Sequence, residues 1–375
     1  MPTMKIVLAF IMILMSSPIF AKSYDAVVSL SPSKGEFKSI NDAIFSANKQ
    51  INENKIFTIF IKNGVYNEKI NITNANVALI GESQDSTIIE YALAAGMLDE
   101  LGAKVGTTGS AIFIVSASNI IITHLTIRNS FDYRANQSLS KDDPKRLVDT
   151  QAVTVLINNN SDHIRFDNVK LEGFQDTLYV KDNSRSYFTR SIISGHVDFI
   201  FGGGVAVIDD CELIARARYD VDDIYGYITA PSTNIKQPFG LVIMNSRLTK
   251  EKDVPANTFA LGRPWHPTTT FSDGRYADPN AIGFALFINN DIGDHIYGWD
   301  KMSGKDINGN TQWFYPEASR FYEFNNKGLR GDEIENKFLI TQKQADIYRI
   351  ENIFNDWPSQ YFQKQVNIQY VSDKR

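Results

Sequence analysis

The chain has 375 residues, 43% of them hydrophobic, and a formal net charge of −5. That acidic balance excludes a surface built to hold nucleic acid and gives no long-range pull on a polyanion, so an acidic ligand has to be met by local basic groups. A single cysteine, Cys211, excludes an internal disulfide, and the fold must be held by its core.

Taken in order, Lys5, the apolar run from Ile6 to Met15 and the segment Ser16-Ser-Pro-Ile-Phe-Ala21 predict an export signal cleaved after Ala21. The run is too short to span a bilayer, and no cysteine follows it to carry a lipid, so the chain is expected to be exported, with no membrane association. Ser39 precedes Ile40, Ala43, Ile44 and Ala47, a helical stripe with Asp42 in its first turn. A short amphipathic helix is therefore predicted from Ser39 to about Lys49. Strands follow at Phe57 to Ile61 and Val77 to Gly81, with a turn and a new strand within Lys62 to Glu68 between them, and further strands run through Ala111 to Ile127. Phe131 to Thr150, polar and holding Pro144, reads as a long excursion, after which Gln151 to Ile157 returns to a strand. Beyond about Ala217 two loop-like insertions are expected, Tyr219 to Pro238 and Glu251 to Asn280, and after Asn310 the pattern fades into a tail packed along the outside. No linker interrupts residues 22–375, which read as one domain.

The strands repeat. The unit Phe166-Asp-Asn-Val-Lys-Leu171, apolar at its first, fourth and sixth places, recurs at Phe188 to Ile193 and Ile208 to Leu213. Looser copies begin at Ile122, Ile243 and Phe287, separated by intervals that leave room for whole extra units or for long loops. A period near 22 residues marks a solenoid. Runs of three to six β-formers, too closely spaced for crossover helices, favour an all-β parallel β-helix, with the Ser39 helix plugging its open end.

In such a coil, equivalent positions on successive turns stack at about 4.8 Å. Asp176 lies ten residues beyond Phe166, and Asp198 ten beyond Phe188, so two carboxylates are expected on neighbouring turns, close enough to drive their pKa values apart. Each sits in an apolar, glycine-containing frame, Gly173 to Val180 and Gly195 to Gly204. By the same count Arg218, ten residues beyond Ile208, falls in register with both and could reach a substrate carboxylate or simply be solvated. Cys211 is expected to stack on Ser191. His196 is a competing base but no serine motif accompanies it, and the five histidines show no metal spacing, so no metal or cofactor is expected.

Five blocks in order, Gly64-Val-Tyr-Asn-Glu68, Gln151-Ala-Val153, Gly173-Phe-Gln-Asp-Thr-Leu178, Asp198-Phe-Ile-Phe-Gly202 and Leu261-Gly-Arg-Pro-Trp265, resemble the signatures of pectin methylesterases, and Trp299-Asp-Lys-Met302 resembles a further segment of their bacterial type. The resemblance implies a right-handed parallel β-helix that hydrolyses the methyl esters of homogalacturonan to methanol and pectate, acting as a monomer on pectin. It also implies site roles: Asp198 as nucleophile, Asp176 as general acid and base, Gln151 and Gln175 as oxyanion donors, and Arg263 as the residue holding Asp198. Tyr179, Phe201, Arg218, Trp265 and Met302 fall where such proteins contact the sugar chain. Ser191 departs from the family, whose bacterial members often carry a cysteine partner there. Two alternatives share the fold. A pectate lyase would want acidic calcium ligands, and an inverting polygalacturonase would want more widely spaced carboxyls; a wall-binding solenoid would keep the aromatics and need neither aspartate. Asn71, Asn136 and Asn159 begin glycosylation sequons.

Overall fold

The computed structural model describes residues 24–47, 55–328 and 336–362; the export signal of residues 1–21 and the end of the predicted helix at Lys49 lie outside them. Three parallel sheets carry the chain. A ten-stranded sheet runs from Ala26–Val28 to Arg320–Phe324, and two eight-stranded sheets run from Gly64–Asn67 to Asp291–Ile292 and from Ile70–Ile72 to Ile296–Trp299. Each full coil contributes one strand to each sheet, the arrangement of a parallel β-helix.

The six copies of the repeat start in a single column of the ten-stranded sheet. Ile122, Phe166, Phe188, Ile208, Ile243 and Phe287 are successive register partners, all fully buried. Phe166 and Phe188 stack with ring centroids 4.7 Å apart. Burying each such side chain stabilises the coil by roughly 1.5–3 kcal/mol. The 44-residue intervals from Ile122 to Phe166 and from Ile243 to Phe287 are single turns with long excursions, not pairs of turns.

Below this column, at the corner between the first and second sheets, each turn reverses on a left-handed residue, among them Asn168, Arg190, Asp210, Asn245 and Asn289. The next residue points inward and forms a polar ladder. The amide of Val169 donates to Ser191 Oγ (3.1 Å), that of Ser191 to Cys211 Sγ (3.5 Å), that of Cys211 to Ser246 Oγ (3.1 Å), and that of Ser246 to Asn290 Oδ1 (3.0 Å). Corner amides that the strand ladders cannot reach are thereby satisfied inside the coil. Ser191 and Cys211 are neighbours, as the repeat predicts.

The plug is present: Ile40–Ala47 is helical and buries Ile40, Ala43, Ile44 and Ala47. Ser39 Oγ accepts from the amide of Asp42, and Glu68 reaches across from the second sheet to accept from the amides of Ile40 (2.9 Å) and Asn41 (3.0 Å). A carboxylate there suits the positive end of a helix.

Three expectations need correction. The insertion at 219–238 contains the strand Gly226–Pro231, and that at 251–280 contains Phe259–Gly262 and an antiparallel hairpin, Thr268–Phe271 with Gly274–Ala277. Beyond Asn310 the coil adds one more rung, Arg320–Phe324. Short strands flanked by polar loops carry too few apolar residues to stand out in sequence. The tail itself packs outside as expected: Phe354, Trp357 and Tyr361 cover Tyr187, Val205, Val207, Val242 and Leu286 on the outer face of the ten-stranded sheet.

The ladder makes a disulfide testable. In-register neighbours lie within the Cα range a disulfide needs, so Ser191→Cys should close a bridge to Cys211 under oxidising conditions, seen as loss of free thiol in a thiol assay. The 20-residue loop would add about 3 kcal/mol at most, less the strain of giving up one ladder bond. Two free thiols in the folded, oxidised variant would refute the stacking.

Candidate active site

The chain passes from the second sheet to the third through a tight turn in which Asp176 (φ +65°) and Asp198 (φ +51°) both adopt the left-handed conformation. Aspartate tolerates this region better than most residues because its short polar side chain bonds locally. The Asp176 amide donates to the carbonyl of Val197 at 3.1 Å, and Leu178–Tyr179 pair with Ile200–Phe201 immediately after. The two aspartates therefore sit on adjacent turns, their backbones one strand spacing, about 4.8 Å, apart. Gly195 makes the fit possible: a Cβ there would lie 2.3 Å from Phe199 Cβ and 2.6 Å from the Phe174 carbonyl oxygen.

The pair is asymmetric. Arg263, which follows the strand Phe259–Gly262 two turns further on, forks onto Asp198, Nε to Oδ1 at 2.8 Å and Nη2 to Oδ2 at 2.6 Å. Burial alone would lower the Arg263 pKa, but the charge of Asp198 more than offsets it and raises it. Asp176 has no cation of its own among the described residues. Burial, and then the facing charge of Asp198, push its pKa well above the usual carboxylate range, against smaller opposing effects from Arg263 and a Gln175 hydrogen bond. One carboxyl is held as an ion pair and the other as an acid.

Gln175 is itself oriented. Thr150 Oγ1 donates to its Oε1 at 3.0 Å, which leaves the amide nitrogen as the end that donates to Asp176. Gln151 pairs on the preceding turn: Ala152 donates to the Gln175 carbonyl (3.1 Å), while the Gln151 Oε1 is buried with no partner among the described residues. On the outer face of the third sheet Tyr179 and Phe201 stack at 4.2 Å, and Trp265 meets both edge-on at 6.2 and 5.6 Å. This aromatic wall begins three residues from each aspartate. Met302 stands further along, paired with Phe314 in the hairpin of Met302–Lys305 and Thr311–Phe314.

Arg218 is not the register partner of the two aspartates. The chain leaves the coil after Arg216, whose amide still donates to Gly195, and returns at Tyr227, whose amide donates to the His196 carbonyl and whose own carbonyl accepts from Phe199. Tyr227 thus continues the column, because the loop between adds nine residues that counting ten on from Ile208 cannot see. Arg218 instead pairs with Asp220 (3.0 Å), which also accepts from Tyr133 of the 131–150 excursion. His196 is a buried corner residue: its Nδ1 accepts from the Val197 amide at 2.7 Å, and burial drives its pKa well below the ordinary value.

Tyr227 and its support went unnoticed in the sequence. The Arg263 guanidinium lies 3.8 Å over the Tyr227 ring. The hydroxyls of Tyr227 and Tyr297 donate to Asp300 Oδ2 at 3.3 and 3.1 Å, and the Asp300 amide is anchored on the Gly262 carbonyl. The one available signal was Asp300 within the Trp299-to-Met302 block.

A parallel β-helix with an arginine-forked, two-carboxylate cleft beside an aromatic wall is the build of a polysaccharide esterase rather than of a calcium-dependent lyase. The pectinesterase family model matches residues 25–275. Pectinesterase A of Dickeya chrysanthemi is 49% identical over 341 residues, covering 90% of this chain and 92% of that one. A pectin methylesterase from Yersinia enterocolitica superposes with a TM-score of 0.83 at 54% identity, covering 86% and 99% of the two chains. A pectin methylesterase crystallised with a hexasaccharide superposes at 0.86 with 51% identity over 90% and 99%. The chain belongs to the pectinesterase family, and its activity is the hydrolysis of pectin methyl esters.

The raised Asp176 pKa fixes the sign of a stability change. A carboxyl whose folded pKa exceeds its unfolded value contributes stability below the unfolded value, and that contribution is lost as pH rises through the folded one. Asp176→Asn removes this loss. Its melting temperature is expected to exceed that of the unsubstituted protein at neutral and alkaline pH, with the gap closing towards pH 4; a variant less stable at pH 8 would refute the buried, protonated assignment.

Proposed function

We propose that Asp198 is the nucleophile and Asp176 the general acid and base of this ester hydrolysis. The observation that carries the reading is the arginine fork on one of two stacked, buried carboxyls. An Asp198 oxygen attacks the ester carbonyl carbon, and the developing oxyanion takes hydrogen bonds from the amides of Gln151 and Gln175, typically worth about 3 kcal/mol per donor. The tetrahedral species collapses with cleavage of the bond to the methoxy oxygen, which receives the Asp176 proton and leaves as methanol. An acyl anhydride on Asp198 remains. Asp176, now a carboxylate, takes a proton from water as its oxygen attacks that carbonyl, and Asp198 departs as a carboxylate, leaving a galacturonic acid that ionises in solution.

The rest of the site follows from this. Arg263 holds Asp198 aimed through its two-nitrogen fork, and Tyr227 with Asp300 keeps Arg263 in place. Tyr179, Phe201 and Trp265 offer an apolar wall to sugar rings, with Met302 beyond it, and Arg218 meets the chain as the charged end of its network with Asp220 and Tyr133. Pectin is the polymer such a site takes. Export, a monomeric state and a single catalytic domain over 22–375 complete the reading, on the strength of the leader-like start and the uninterrupted coil.

Asp198→Ala and Asp176→Asn should each lower methanol release from methylated pectin by orders of magnitude while circular dichroism stays that of the folded coil; near-normal turnover in either would sink the mechanism. Gln175→Ala is expected to cost about a hundredfold in kcat. Tyr227→Leu, which removes the ring beneath Arg263, should lower kcat with little change in KM, whereas Tyr227→Phe keeps the ring and most of the rate. Chelators should leave methanol release unchanged, and loss restored by calcium would favour a lyase-type site.

A further inference from the structure

The hairpin formed by Met302–Lys305 and Thr311–Phe314 has two unlike faces. Its inner face rests on the rest of the molecule: Phe314 stacks on His266 at 3.6 Å, and Gly304 packs closely on Phe314 and Ala277. Strand alternation puts Lys301, Ser303, Trp313 and Tyr315 on the other face. Trp313 and Tyr315 are each 49% exposed, and the Lys301 ammonium stands 4.8 Å from the Trp313 ring centroid and 5.9 Å from that of Tyr315. No carboxylate pairs with Lys301 among the described residues.

Two aromatic rings, one on the paired strand and one just past its end, are left half in water and bury little for the fold there. Together with an unpaired ammonium they match one kind of ligand, a sugar that carries both an apolar ring face and a carboxylate. The hairpin is rooted beside the cleft. Its first strand leaves Asp300, which supports Tyr227 under Arg263, and His266 adjoins Trp265.

We propose that Lys301, Trp313 and Tyr315 form a secondary binding surface for de-esterified galacturonan, outside the cleft and on the outer face of this hairpin. The identity of the sugar rests on the pectin reading above. The surface favours the product of the reaction, since a methyl ester has no charge to offer Lys301. It would hold the enzyme on stretches it has already demethylated while the cleft works on esters further along the same polymer.

Intrinsic fluorescence titration with fully de-esterified galacturonate oligomers tests this directly, because these are not substrates for ester cleavage. A saturable change is expected that weakens with added salt, weakens about two- to tenfold in Lys301→Ala, and in Trp313→Phe falls to the part contributed by Trp265 in the cleft. In methanol-release assays, Lys301→Ala and Trp313→Ala should raise KM for long, partly de-esterified pectin by a similar factor at constant kcat. Short, fully methylated oligomers should be turned over as by the unsubstituted enzyme. Binding curves for Lys301→Ala and Trp313→Phe that superimpose on the unsubstituted protein, or an unchanged KM on long pectin, would overturn the proposal. Intact binding in a protein that releases no methanol would still support the surface and count only against the catalytic roles.

Discussion

The structure depends on coils stacking in register. Once Phe166, Phe188 and Ile208 pair at one strand spacing, residues at a fixed offset from them are forced into columns of their own wherever no loop intervenes, whatever their chemistry. For apolar positions the result is a continuous core. For the position ten residues on from Phe166 and Phe188, it is two carboxyls brought together by a backbone whose strand ladders leave no slack. The site is a consequence of the repeat, and the cost of placing like charges together is spread over the packing of the whole coil.

That cost is managed unequally. Arg263 arrives from two turns away with both fork nitrogens on Asp198, so the ion pair is complete without Asp176, and the buried neighbour is left to hold its proton. An arginine suits this better than a lysine because a planar fork fixes both the position and the orientation of the carboxylate. The fork in turn needs a floor. The Tyr227 ring supplies it, and Asp300 ties that ring to the chain that follows Gly262, where a Cβ would fall 2.2 Å from Thr229 Oγ1.

The legible part of this design is the part set by the period. Six of the ten rungs of the first sheet are legible from their first apolar residue, and Asp176, Asp198 and the Cys211–Ser191 contact follow by counting, because the turns from Phe166 to Cys211 contain no insertion. Arg218 failed for the same reason that the others succeeded: the count runs through a loop after Arg216, and the true occupant of the column is Tyr227. The strands Gly226–Pro231 and Phe259–Gly262 were hidden between polar loops. Arg263 could be placed only by resemblance, since nothing in its own neighbourhood says that it reaches back two turns. Long-range contacts made by excursions carry no periodic trace.

A β-helix also explains how a chain without disulfides can carry strain at its site. Asp176 and Asp198 both sit at positive φ, each at a cost of order 1–3 kcal/mol that persists only where the surroundings over-determine it. The strands immediately following these turns are locked to their neighbours on both sides, and the corner ladder through Ser191, Cys211, Ser246 and Asn290 satisfies the amides that such tight reversals would otherwise orphan. Cys211 is spent on this ladder: burial raises its thiol pKa, and its sulfur accepts the Ser191 amide. Strain is thus tolerated at the two turns that carry the stacked carboxyls because the hydrogen bonds and packing on either side of them leave the backbone no other conformation.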